Sequence, residues 1–141
     1  KEFPAETIAI SGVEGAPDSE VPESLIDDNT RTTVTFSEQK GSVTMTANGY
    51  GLASFGFQAG PATHARPKKV IVKADGTQVE HTIDEKAKGM QWMLLPAIIG
   101  YTGSAAGDVT VEITEVWPGT VATNPLSLSE VKLNATVIEE F

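Results

Sequence analysis

The chain has 141 residues, 40% hydrophobic and 21% charged, which is enough for a single domain with a real core, too short for two, and unlike a disordered segment. Its net charge of −9, with no basic stripe, argues against nucleic acid and anionic membrane surfaces as partners, and no apolar run approaches the ~20 residues that span a bilayer. Cysteine is absent, which removes disulfides, thiolate metal sites and a cysteine nucleophile together.

Taken in order, the chain opens at Lys1-Glu2-Phe3 with neither an initiator Met nor a signal sequence, and is expected to be a segment of something longer. Thr7 to Ser11 alternates like an edge strand. Gly12 to Glu23, with two Pro, two Gly and four acidic residues, reads as an exposed loop. From Ser24 to Phe36 a turn rich in acidic and amide side chains feeds a β-branched run. Asp27, Asp28, Asn29 and Thr32 place several oxygens within six residues, which suits calcium, an ion that takes many oxygen ligands in flexible geometry. Ordinary turn chemistry accounts for the same residues, because short polar side chains bond back to the main chain.

Ser42 to Ala47 alternates with Val43, Met45 and Ala47 on one face, and Asn48-Gly49 ends it. Leu52 to Ala59 follows, with Phe55 and Phe57 on one side. After a loop from Gly60 to Pro67, Val70 to Lys73 and Gln78 to Ile83 flank Asp75-Gly76 and predict a hairpin. Asp84 to Gly89 is a charged turn with room for one helical turn. Met90 to Leu95 reads as a buried strand stopped by Pro96. After a Gly/Ser/Ala-rich loop through Gly107, Asp108 to Trp117 alternates most cleanly, with Val109, Val111 and Ile113 against Thr110, Glu112 and Thr114. A last strand runs from Leu126 to Val137. Phe36, Phe55, Phe57 and Trp92 are assigned to the core, where large rings dominate burial.

About eight short strands with essentially no amphipathic helix indicate an all-β protein, an antiparallel sandwich or jelly roll. The run Leu25-Ile26-Asp27-Asp28-Asn29-Thr30-Arg31-Thr32 resembles the early Asp/Asn-then-Thr turn of discoidin-like, galactose-binding-type β-sandwiches, with Asp28 where Gly is usual and Val34 near the place of a common Trp. Further on, Arg66-Pro67-Lys68-Lys69-Val70, Ile113-Thr114-Glu115-Val116-Trp117-Pro118-Gly119 and Leu128-Ser129-Glu130-Val131-Lys132-Leu133 resemble, in order, the glycan-binding domain attached to some secreted bacterial NAD glycohydrolases. The resemblance implies a noncatalytic carbohydrate-binding jelly roll over residues 1–141, tethered to other domains of a secreted or cell-surface bacterial protein. It also implies a structural calcium held by Asp27, Asn29, Thr32 and, from the last strand, Glu130. The rival reading of Glu130 is that it caps or pairs with a neighbouring polar group.

A sugar site needs aromatic faces for the apolar C–H face of the ring and polar loop groups for its hydroxyls. Tyr50, Tyr101 and Trp117, at strand ends or in loops, are the aromatics freest to serve, and His64 and Arg66 are candidate donors. Packing under the Pro118-Gly119 turn competes for Trp117, and loop closure for Arg66. No enzyme is expected. His64 and His81 lack metal-ligand or triad spacing, there is no Gly-x-Ser-x-Gly elbow or phosphate loop, and no carboxylate pair is singled out. The competing function is an assembly module that binds another protein and no sugar.

Overall fold

Where a valine or methionine recurs at every second residue, one side of a strand becomes apolar and must be covered. A computed structural model, which describes residues 3–4, 7–14, 33–48, 52–74, 76–99 and 106–135, shows how the chain covers these faces. Ten strands occur among them: β1 (Phe3–Pro4), β2 (Thr7–Glu14), β3 (Val34–Thr35), β4 (Gly41–Asn48), β5 (Leu52–Ala59), β6 (Arg66–Ala74), β7 (Thr77–Thr82), β8 (Gln91–Ile99), β9 (Ala106–Trp117) and β10 (Ser127–Ala135). Eight have six residues or more, and β1 and β3 have two each. No helix is present among the described residues.

The strands form two antiparallel sheets. The first has the order β1-β10-β5-β8, with β3 also on β10, and the second the order β2-β4-β9-β6-β7. Val43 faces Val111 and Met45 faces Val109 across β4 and β9. Their side chains are almost wholly buried with Val70 and Val72 of β6, and from the other sheet Phe55, Phe57, Val131 and Leu133 close on them. Phe55 and Phe57 are 6.3 Å apart between ring centres. The expected antiparallel β-sandwich is therefore the fold, and β2 is an edge strand as its short alternation predicts.

The Asp75-Gly76 hairpin forms as read: Ala74 pairs with Thr77, and Gly76 has φ of 75°. Other expectations are corrected. Pro96 does not end its strand, because β8 is an edge strand whose register to β5 is irregular between Leu94 and Ile99, where a missing N–H is tolerated. Residues 84–89 make a turn without a helix. Trp92 is not in the core. It is 40% exposed, because β8 alternates Met93 and Leu95 inward and so turns Trp92 and Leu94 outward.

Candidate functional site

Antiparallel pairing brings the end of β5, the start of β6, the ends of β7 and β9, and the starts of β8 and β10 to one end of the sandwich. Three connections meet there, at residues 60–65, 83–90 and 118–126. The first and third are bound by backbone hydrogen bonds: Thr120 N donates to Ala62 O at 2.9 Å and Ala65 N to Pro125 O at 3.0 Å. Asn124 adds its side-chain amide, which donates to Thr63 O at 3.0 Å.

The 83–90 connection crosses from the second sheet to the first, and side chains from the strand ends hold it. Arg66 donates through Nη2 to Glu85 O at 2.6 Å and through Nη1 to Pro118 O at 3.2 Å. Trp117 Nε1 donates to Ile83 O at 2.8 Å. Within the connection Asp84 Oδ1 accepts from Lys86 N at 2.8 Å, and Gln91 Nε2 donates to Lys88 O at 2.7 Å. An isolated loop would not keep these carbonyls in place; one guanidinium, one indole and one amide fix them.

Between the connections lies an open cleft of about 590 Å³. Phe57, Pro67, Ile83 and Pro118 contribute apolar surface to it, and Gln58, Arg66, Asp84, Glu85, Lys86 and Gln91 bring hydrogen-bonding groups. Apolar surface interrupted by a few hydrogen-bonding groups is the composition that holds a small polar ligand in a fixed orientation.

Solved structures with this architecture are numerous. A family 32 carbohydrate-binding module of Clostridium perfringens NanJ, solved with galactose, superimposes with a TM-score of 0.69 at 12% identity, over 95% of this chain and 99% of that one. The fold is that of family 32 carbohydrate-binding modules. A family 32 module of a C. perfringens family 31 glycoside hydrolase gives a TM-score of 0.66 at 11% identity, over 95% and 96% of the two chains. Another from that organism, solved with GalNAc-β-1,3-galactose, gives 0.57 at 14% identity, over 90% and 93%. No family sequence model and no curated protein sequence matches the chain.

On this family 32 fold, the residues singled out in the sequence separate into groups. Arg66 lines the cleft, and half-buried Trp117 is one residue from it, with Lys68 Nζ 4.5 Å from its ring centre. His64 lies on the 60–65 connection, where Nδ1 is 3.0 Å from Thr63 Oγ1. Tyr50 and Tyr101 lie outside the described residues. Among the described residues, β4 and β8 end, and β5 and β9 begin, at the end of the sandwich opposite Arg66. Of the four expected calcium ligands, Asp27, Asn29 and Thr32 also lie outside the described residues, whereas Glu130 is 2% exposed on β10 beside a register shift. The sequence reading missed Gln58, Gln91 and the 83–90 connection as cleft components. Its charged turn was visible, but nothing local to it shows which strand ends it meets.

Proposed function

We propose that this chain is a noncatalytic carbohydrate-binding module of a larger secreted or cell-surface bacterial protein, and that it takes glycan in the cleft at the loop end of its sandwich. The observation carrying this reading is the cleft itself, lined by both apolar surface and hydrogen-bonding groups, on a scaffold shared with modules solved with galactose and GalNAc-β-1,3-galactose. Pyranose rings have the matching chemistry, an apolar C–H face ringed by hydroxyls. Arg66 directs its guanidinium between two loops at this cleft, and the remaining N–H groups of that fork suit a sugar oxygen. Trp117 and His64, on or beside the connections at this end, are the further contacts proposed for glycan in the cleft.

Calcium is part of the proposal as a structural ion. Glu130, buried on β10, is the ligand proposed from the last strand. Asp27, Asn29 and Thr32 have the oxygen donors such an ion requires, and the four together would join the beginning and end of the chain. A glycan array followed by isothermal titration tests the carbohydrate reading. Saturable binding to at least one glycan class is expected, and silence across host and plant sugars would leave the protein-binding assembly module as the reading.

A further inference from the structure

On the outer side of the first sheet, Trp92 is 40% exposed and Leu94 62% exposed, on an edge strand whose alternate residues Met93 and Leu95 are buried. Trp92 pairs in register with Gly56 of β5. A Cβ placed on Gly56 would lie 2.6 Å from Trp92 Cε3, 2.7 Å from Cζ3 and 2.9 Å from Cδ2. The six-membered ring therefore rests directly on the β5 backbone, and only glycine leaves room for it. An exposed tryptophan normally has free rotamers, whereas this one has a floor.

The same face continues into the cleft. Gln58 lines the cleft and lies two residues beyond Gly56 on the same side of β5, about 7 Å along the strand. Across β5 from Trp92, Lys132 of β10 stands opposite Gly56. The order along this surface is thus a cleft with hydrogen-bonding groups in its lining, an amide, then a fixed aromatic plate. A ligand made of repeated units, each with an apolar face and an edge of hydroxyls, matches that order. A monosaccharide fills only its beginning.

We infer that Trp92, seated on Gly56, is a second glycan subsite, and that the ligand class is an oligosaccharide running from the loop-end cleft onto the outer face of the first sheet. This inference rests on the carbohydrate reading of the cleft. The plate is pre-formed, so stacking on it orders little that was free.

The test uses galactose, GalNAc-β-1,3-galactose and a linear galactotetraose as probes, with titration calorimetry on the wild-type protein, Trp92→Ala and Trp92→Phe. Trp92→Ala is expected to weaken the tetrasaccharide roughly tenfold or more, to leave galactose within about twofold, and Trp92→Phe to recover most of the loss. On the unaltered protein, saturating galactotetraose should shield tryptophan emission from acrylamide quenching more than saturating galactose does, and this excess should vanish in Trp92→Ala, which keeps Trp117. Equal tetrasaccharide affinity in the wild type and Trp92→Ala, or no excess shielding by the bound tetrasaccharide, overturns the subsite and leaves the cleft standing. Absence of wild-type binding to all three probes overturns the subsite, and the glycan array separately decides the cleft.

Discussion

Arg66 shows how one side chain can serve two levels of structure. Its carbonyl acceptors come from residues 19 and 52 positions further along the chain, so the sequence offers loop closure as one role for this cation but no sign of which loops it ties. Arg66→Ala is expected to destabilise the fold by about 1.5–3 kcal/mol, the range for a hydrogen bond that involves a charged group. Arg66→Lys should recover little of that, because an ammonium lacks the planar fork that reaches both carbonyls. Urea unfolding measures it, and wild-type stability in Arg66→Ala would show the two bonds to be idle. Trp92 illustrates the opposite failure of local reading. Its size suggests the core, but its exposure is decided by the parity of β8 and by a glycine on the neighbouring strand. Glu130 yields the sharpest residue-level prediction. If calcium neutralises it, EGTA should lower Tm by roughly 10 °C, as expected for loss of an ion contributing ~2.7 kcal/mol. Asp27→Ala and Glu130→Gln should each melt lower and no longer respond to the chelator. Identical melting of the wild type with and without EGTA would remove the ion.

At the scale of strands and connections, what was legible depended on how local the cause was. The β6–β7 hairpin was readable because two flanking β-branched runs and one Asp-Gly pair specify it without help from elsewhere. Thr77 reinforces the turn by donating from Oγ1 to Ala74 O at 2.8 Å. Since Gly76 holds φ of 75° with open space around it, Gly76→Ala tests backbone conformation without a steric clash. The expected cost is about 1 kcal/mol, seen as a lower thermal midpoint with no change in glycan affinity; an unaltered midpoint would mean that the turn tolerates a side chain at no cost. The 83–90 connection was the harder case. Asp84, Glu85, Lys86 and Lys88 mark it as exposed, but its role as a cleft wall arises from β7 and β8 belonging to different sheets. Likewise, Pro96 is compatible with a strand only because that strand is at an edge, a fact about neighbours and not about the dipeptide.

For the molecule as a whole, the sandwich keeps most of its core away from the groups proposed to bind, with Arg66, Trp117 and Phe57 serving both. Core alternation in β4, β9 and β6 announced one apolar face and that in β5 and β10 the other, so the fold class was legible; strand order was not, because β5 joins β10 and β8 through pairings far apart in sequence. The same separation makes stability and recognition independently adjustable. Met45 is fully buried, pairs with Val109 towards the start of β9, and belongs to none of the cleft surface. Met45→Ala should therefore destabilise by roughly 2–5 kcal/mol through lost burial and a cavity. Below its melting transition it should retain glycan affinity within about twofold, because sites more than ~7–10 Å apart with no shared partners act nearly additively. Chemical denaturation and titration on the same preparation decide the matter. A proportional fall in affinity and stability would mean that packing between the sheets sets the cleft geometry, and that the rim is not an independent graft on a common scaffold.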